Sequence, residues 1–207
     1  MLNCDEIARR IELDPENAER ISIVPRPDVA AIRKRGGTSI DLRLGRWFRS
    51  FKQSRSSHYS LWADNLAAGN QQQPQLKTNE HFVPFGSPFI LHPGRFVLGV
   101  TMEWLTLPSS ISGYVTGKSS LGRHGLVIET AAGLHPNFSG GLTLELANVG
   151  EVPLAISPGM EICQIFLHSV EAGADANLGS FSGQRKPTVA LGKSDPIFER
   201  LRGRAAG

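Results

Sequence analysis

Short apolar segments separated by proline and glycine dominate the chain from about residue 21 onward. Brief apolar runs bounded by turn residues are typical of strands rather than helices. They predict a mainly β fold, of the barrel or sandwich type. The expected strands lie at residues 21–24, 39–44, 89–91, 96–100, 113–115, 126–128, 142–147 and 162–167.

Three segments depart from this pattern. Near the N-terminus, Asp5 can cap a short helix in which apolar residues repeat at helical spacing. Residues 52–80 are polar and predict a surface insertion in a single β domain that spans residues 1–170. Residues 171–207 are rich in glycine, alanine and serine and then become basic, which predicts a flexible C-terminal arm.

Composition narrows the possible functions. The chain has 207 residues, which suits one domain, and a formal net charge of +3 without a long Lys/Arg run. This charge fits a small anionic ligand and does not favour a nucleic-acid partner. No stretch approaches the roughly 18 to 20 apolar residues of a membrane span, and the N-terminus lacks the pattern of a signal peptide. We therefore expect a cytoplasmic protein.

The two cysteines, Cys4 and Cys163, are far apart in the sequence, and neither has a cysteine or a metal-spaced histidine near it. The sequence therefore supports neither a disulfide framework nor a zinc site, and it predicts reduced thiols.

Glu145 is the first candidate for chemistry. In the predicted strand 142–147, alternation sends the leucines to one face and places Thr143, Glu145 and Ala147 on the other. A strand glutamate is more often a solvated carboxylate than a catalytic base. The neighbouring motifs favour the catalytic interpretation.

The second candidate is the turn at residues 117–123, which contains Lys118, Ser119, Ser120 and Arg123 between glycines. Such a turn offers hydroxyls, a point charge and a planar guanidinium to phosphate oxygens. The alternative is a basic turn in which Ser119 caps one turn of helix.

Three further residues are weaker candidates. His135 precedes a proline, which predicts an extended or turn conformation, and a single loop histidine is more often structural. Phe138 can pack against a flat ring, although a core position is the commoner role of an aromatic residue. Gln184 lies in a basic stretch that could close over an anion or could be an ordinary disordered end.

These residues belong to a series of motifs. They are Ser22–Pro27 (SIVPRP), Gly37–Gly45 (GTSIDLRLG), Leu91–Gly94 (LHPG), Gly117–Arg123 (GKSSLGR), Thr143–Glu145 (TLE), Pro158–Met160 (PGM) and Gly183–Arg185 (GQR). In this order and spacing, they resemble the deoxycytidine triphosphate deaminase family, whose fold is shared with trimeric deoxyuridine triphosphatases. The resemblance runs nearly the length of the chain.

The resemblance implies a distorted β-barrel or jelly-roll that forms a homotrimer, with active sites at subunit interfaces and the C-terminal arm closing over the nucleotide. The family's general base matches Glu145, and the groups that hold the attacking water match Ser119 and the carbonyl of Ala131. Arg123 matches the arginine beside the base. Lys118, Ser120 and Gln184 match contacts to the triphosphate, and we expect His135 and Phe138 to be nucleotide-binding residues as well.

The implied reaction is the deamination of dCTP to dUTP. Mg²⁺ would be carried by the nucleotide phosphates, with no protein ligand, and dTTP is a possible inhibitor. Other base deaminases activate water with zinc held by an H-x-E and P-C-x-x-C pattern, which this sequence lacks. We therefore expect no zinc.

Two departures from the family keep alternatives open. His135 replaces an aspartate that in the triphosphatase branch contacts the sugar and activates water, and Ser180-Phe181 replaces a common Lys-Tyr pair. One alternative is a bifunctional enzyme that carries dUTP on to dUMP and diphosphate, which the change at His135 disfavours. The other is a nucleotide-binding regulator that has lost turnover.

Overall fold

The structure is a computed structural model, and it describes residues 1–53, 55, 77–129, 133–171, 183–189 and 197. The helices are α1 (Cys4–Glu12), α2 (Val29–Arg35) and the single turn α3 (Ser119–Gly122). The strands are β1 (Ser22–Val24), β2 (Ser39–Arg43), β3 (Trp47–Phe51), β4 (Thr78–Phe82), β5 (Phe89–Leu91), β6 (Phe96–Val100), β7 (Trp104–Thr106), β8 (Ile111–Gly117), β9 (Leu126–Glu129), β10 (Gly133–Leu134), β11 (Ser139–Gly140), β12 (Thr143–Asn148), β13 (Leu154–Ile156) and β14 (Glu161–Ser169).

The described strands form four sheets. Their orders are β1-β7-β11, β10-β8-β14-β2, β4-β3-β6-β12-β9 and β13-β5. The mainly β prediction is confirmed, and all strand pairs whose register is described are antiparallel. The described strands do not close into a barrel, and their four antiparallel sheets are consistent with the jelly-roll type.

The N-terminal helix is present, but its cap differs from the prediction. The side chain of Asn3 accepts the Glu6 N–H at 2.9 Å, and Asp5 lies inside the first turn. The reason is that the helix begins at Cys4, so its N-cap lies two residues before the cap assigned from the sequence. Ile7 and Ile11 are buried, and α1 packs against α2. Among the described residues, no helix is long and apolar enough to span a membrane.

The chain divides into two compact units. The first comprises Met1–Ser50 and Glu80–Thr188, and the second comprises Phe51–Asn79 and Val189–Gly207. The core of the first unit contains fully buried side chains such as Phe48 and Leu144. In the second unit, the Lys52 N–H donates to the Lys77 carbonyl at 2.8 Å.

The predicted insertion and arm lie largely outside the described residues. At the end of the predicted insertion 52–80, Thr78, Asn79 and Glu80 belong to β4. Of the predicted arm 171–207, Gly183–Thr188 forms part of the first unit.

This tail segment, Gly183–Thr188, makes main-chain hydrogen bonds to the residues around β11. The Gly183 N–H donates to the Ser139 carbonyl at 2.6 Å, and the Gly141 N–H donates to the Gln184 carbonyl at 2.9 Å. Glycines permit this approach, because a Cβ at Gly140 would lie 3.2 Å from the Gly183 nitrogen. The tail segment therefore lies beside the first residues of β12.

Charged side chains make the contacts of the rest of the tail segment. The Lys186 ammonium lies 3.7 Å from the ring centroid of Trp47 and 2.6 Å from a Glu80 oxygen. The Arg49 Nε–H donates to the Pro187 carbonyl at 2.8 Å. The Arg185 guanidinium lies over the Trp104 ring at 5.5 Å. Both cations thus face indole rings, as in cation–π pairs.

Candidate active site

The phosphate-turn candidate begins where β8 gives way to α3. A side chain at Gly117 would bring its Cβ to 2.9 Å from the Cβ of Ile128, so glycine allows β8 to lie close to β9. Ser119, Ser120 and Arg123 are exposed, and their side chains have no hydrogen-bond or ion-pair partner in the described part of the chain. They are therefore available to an anionic ligand.

Lys118 differs from its neighbours. Its ammonium is 2.9 Å from an oxygen of Glu161 and 3.2 Å from an oxygen of Asp41. Burial alone would lower the pKa of Lys118, but hydrogen bonds to Glu161 and Asp41 outweigh that effect and raise it. Sequence analysis did not identify Glu161 and Asp41 as partners of Lys118, because they lie on β14 and β2.

The candidate base, Glu145, lies on β12 with the predicted two faces. Leu144 and Leu146 are fully buried, whereas Thr143 and Glu145 are half-buried on the opposite face. This alternation confirms the faces assigned from the sequence. Within the described residues, the Glu145 carboxylate has no hydrogen-bond or salt-bridge partner. It is therefore free to act on a ligand.

Strand register places other residues beside Glu145. Its Cα partners are Leu98 on β6 and Glu129 on β9. Glu129 was not identified from the sequence, because cross-strand register is not readable from a single strand. The other end of β9, Leu126, pairs with Asn148, which lies three residues from Glu145 along β12, or about 10 Å at about 3.3 Å per residue. α3 leads into that end of β9, whereas Gly117 at the start of the phosphate turn lies against Ile128, whose Cα partner is Leu146.

Gln184 lies on the Glu145 face of β12. Its side-chain oxygen accepts the Thr143 hydroxyl at 3.0 Å, and its amide nitrogen donates to the Thr188 hydroxyl at 2.6 Å. Since Thr143 and Glu145 share one face of the strand, the tail segment brings Gln184 towards the candidate base. Sequence analysis had selected Gln184 and had not selected Thr143.

His135 and Phe138 lie at the ends of one turn. The Phe138 N–H donates to the His135 carbonyl at 3.1 Å, and Asn137 has φ 63°. Proline followed by a left-handed residue is the pattern of a type II turn, in which asparagine can replace glycine. His135 is exposed without a side-chain partner in the described ranges, and Phe138 is half-buried against the core. Ala131 lies outside the described residues.

The described residues contain no group of three or more His, Cys, Asp or Glu side chains placed to hold a metal ion. Both cysteines are free and buried. Burial raises the pKa of the Cys163 thiol to about 12.

A family model described as dCTP deaminase-like matches residues 1–170. The chain belongs to the dCTP deaminase-like family. The resemblance inferred from the motifs is thereby confirmed, and the spacing of these motifs along one chain is what made it specific.

Members of the dCTP deaminase-like family include close relatives of this chain. This chain is 45% identical over 158 residues to "dCTP deaminase, dUMP-forming" of Corynebacterium diphtheriae. The matched region covers 73% of this chain and 80% of the relative. This chain is also 42% identical over 156 residues to "dCTP deaminase" of Marinomonas sp., with coverage of 75% and 78%.

A solved structure of 2′-deoxycytidine 5′-triphosphate deaminase from Agrobacterium tumefaciens is also similar, with a TM-score of 0.49 and 19% identity. The match covers 71% of this chain and 43% of the Agrobacterium chain.

Proposed function

We propose that this protein is a dCTP deaminase, which hydrolyses the exocyclic amine of a cytosine deoxynucleotide. The observation that carries the proposal is Glu145, a half-buried carboxylate on the open face of β12 with no partner among the described residues. A binding module needs no such base. Because the chain belongs to the dCTP deaminase-like family, we assign proton transfer to this carboxylate.

In the proposed reaction, the Glu145 carboxylate takes a proton from water as the water oxygen attacks C4 of the cytosine. Glu145 delivers this proton to N3 of the ring, and the second water proton passes from the new C4 hydroxyl to the exocyclic nitrogen as the C4–N4 bond breaks. Ammonia then leaves a uracil that carries a C4 carbonyl and an N3–H. Ser119 and the carbonyl of Ala131 would hold the water, and Arg123 would lie beside the base. These roles come from the family motif, and the exposure of Ser119 and Arg123 supports them.

The proposed assembly is a homotrimer with active sites between protomers. Membership of the dCTP deaminase-like family supports this arrangement, because the resemblance implies trimers with active sites at subunit interfaces. Ser120 and Gln184 would contact the phosphates. Mg²⁺ would arrive with the triphosphate as part of the substrate.

A second candidate function is onward hydrolysis of dUTP to dUMP and diphosphate. It is favoured by the relatives' names, since the Corynebacterium protein and a Mycolicibacterium smegmatis protein at 41% identity are both "dCTP deaminase, dUMP-forming". His135 is the residue that bears on this choice. Its exposed imidazole could accept a hydrogen bond from a sugar hydroxyl, but it does not reproduce a carboxylate.

The deciding experiment is chromatographic product analysis with dCTP, dCDP, dCMP and dUTP separately, each with Mg²⁺. Ammonia and dUTP from dCTP would support the deaminase, and additional dUMP would support the bifunctional enzyme. Nucleotide binding by calorimetry without any product would contradict both and would favour a regulator.

Replacing Glu145 with glutamine keeps the side chain's shape and removes the base. We expect Glu145→Gln to retain nucleotide binding and to lower ammonia release by about a hundredfold or more. The matched control is Glu151→Gln, an exposed glutamate without a side-chain partner in the described ranges, which should keep wild-type turnover. Unchanged turnover in Glu145→Gln would exclude Glu145 as the base.

A further inference from the structure

Glu129, the last residue of β9, lies directly across from the candidate base. The two glutamates, Glu129 and Glu145, are Cα partners in the antiparallel pairing of β9 with β12. Side chains that are directly opposite in such a pair lie on the same face, with their Cβ atoms about 4.5 to 5.5 Å apart. Two carboxylates therefore share the open face of β12, and the proposed reaction uses only that of Glu145.

Core packing holds this register. The residue before Glu129, Ile128, is buried and pairs with the buried Leu146. Gly117 lets β8 lie against the same residue, since a Cβ at Gly117 would be 2.9 Å from the Cβ of Ile128. A slip of one residue would turn the side chain of Ile128 out of the core. The position of Glu129 opposite Glu145 is therefore fixed by the strands and not by a loop.

The two flanks of Glu145 differ in accessibility. On the β6 side its Cα partner is Leu98, which is 6% exposed. On the β9 side its partner is Glu129, which is exposed. Among the described residues, neither carboxylate has a hydrogen-bond or ion-pair partner. A polar ligand that approaches from the β9 side can therefore contact both carboxylates.

The chemistry of the pair selects a type of ligand. Like charges directly opposite on neighbouring strands are unfavourable, and an exposed strand glutamate is ordinarily only hydrated. A ligand with N–H donors on neighbouring atoms would satisfy both groups, because ionised carboxylates accept hydrogen bonds and donate none. Cytosine has such an edge, since its N4 amine is a donor and its N3 gains a proton in the proposed reaction. Uracil has a carbonyl acceptor, O4, in place of the amine.

We propose that Glu129 is a specificity-determining residue, whose carboxylate accepts a hydrogen bond from the N4 amine of cytosine while Glu145 serves N3 and the attacking water. This inference rests on the proposed function for the identity of the ligand. A uracil nucleotide would bring its O4 against the Glu129 carboxylate, and two acceptors repel each other. Glu129 therefore favours binding of the substrate dCTP and release of the deaminated product.

The test is the kinetics of ammonia release by Glu129→Gln, with dCTP as the substrate and dUTP as a competitive inhibitor. The glutamine amide is a weaker acceptor than a carboxylate, and it can donate a hydrogen bond to O4 of uracil. We expect the KM for dCTP to rise and the inhibition constant for dUTP to fall, so that the ratio of these two affinities shifts by about tenfold or more. The kcat should stay within about threefold of the wild type, since the contact is present before the chemical step.

A structural role for Glu129 predicts a different result. Equal changes in the constants for dCTP and dUTP would show that Glu129 does not distinguish N4 from O4, and they would overturn the proposal, as would unchanged constants. The matched control is Glu151→Gln, an exposed glutamate without a side-chain partner in the described ranges, which should keep both wild-type constants. Because Glu129 is exposed and faces a like charge, Glu129→Gln should fold at least as stably as the wild type.

Calorimetry separates this inference from the proposed function. A wild-type protein that releases no ammonia would contradict the deaminase, and dCTP would then survive for a direct measurement of binding. A wild-type preference for dCTP over dUTP that falls about tenfold in Glu129→Gln would still support the role of Glu129. An unchanged preference would overturn that role, and binding of neither nucleotide would contradict both proposals.

Discussion

Asn148, at the end of β12, provides a quantitative test of what holds the strand that carries Glu145. Only 1% of its surface is exposed. Its amide nitrogen donates to the carbonyls of Leu91 and Val152, both at 2.9 Å, and its side-chain oxygen accepts the Gly150 N–H at 3.0 Å. The substitution Asn148→Leu keeps a similar volume and removes all three hydrogen bonds.

The expected loss follows from the surroundings of each abandoned partner. The hydrogen bond to Leu91 is buried, so its carbonyl would remain unsatisfied at a cost of about 1 to 3 kcal/mol. The bonds to Val152 and Gly150 are partly buried, and water can replace them at about 0.5 to 1 kcal/mol each. We therefore expect the free energy of unfolding to fall by about 3 kcal/mol. For a chain of this size, the midpoint temperature of thermal unfolding should fall by about 6 to 12 °C.

The measurement is urea unfolding followed by circular dichroism at a fixed protomer concentration, because subunit association would otherwise contribute. Asn17→Leu is the matched control, since among the described residues the exposed Asn17 side chain accepts one hydrogen bond, from the Glu19 N–H at 2.9 Å. It should change the unfolding free energy by less than about 1 kcal/mol. An Asn148→Leu protein within about 1 kcal/mol of the wild type, at the same urea dependence, would refute the reasoning.

Two further predictions concern the tail segment and a buried acid. Gly141→Val should displace the tail segment, because a Cβ at Gly141 already lies 3.3 Å from the Gln184 carbonyl oxygen and 3.1 Å from Cγ2 of Val100. Tryptic cleavage after Arg185 should then accelerate about tenfold or more, and cleavage at the wild-type rate would contradict the docking. Burial raises the pKa of Glu103 above its ordinary 4.5, despite a hydrogen bond from the Arg43 N–H. The free energy of unfolding should therefore fall as the pH rises from 4.5 through the pKa that Glu103 has in the folded protein. Glu103→Gln keeps the acceptor and does not titrate. The free energy of unfolding of this variant should depend less on pH above 4.5 in urea titrations, and an unchanged pH profile would count against a raised pKa.

Periodicity alone predicted the strands whose apolar runs are bounded by turn residues. Phe89–Leu91 and Phe96–Val100 were placed with their observed bounds. The β3 strand was missed because Trp47–Phe51 mixes aromatic residues with Arg49 and Ser50, and β10 and β11 are only two residues long. The α2 helix was missed as well, since Asp28 caps it directly after a proline-rich stretch.

Those residues of the candidate site that lie within one sequence motif could be predicted. The alternation of β12 gave the face of Glu145, and the family motif supplied Ser119 and Arg123. Contacts between distant segments were not predictable, because they depend on register and on packing between sheets. The pairing of Lys118 with Asp41 and Glu161 is of this kind, and so is the placement of Glu129 opposite Glu145.

The two cation–indole contacts of the tail segment have a practical consequence for spectroscopy. The chain contains three tryptophans, and two of them, Trp47 and Trp104, lie against Lys186 and Arg185. A positive charge over an indole ring changes the electric field that sets the energy of its excited state. Tryptophan emission therefore responds to whether the tail is docked or released. The two rings can therefore report, without an added label, whether the tail segment stays docked in a variant such as Gly141→Val.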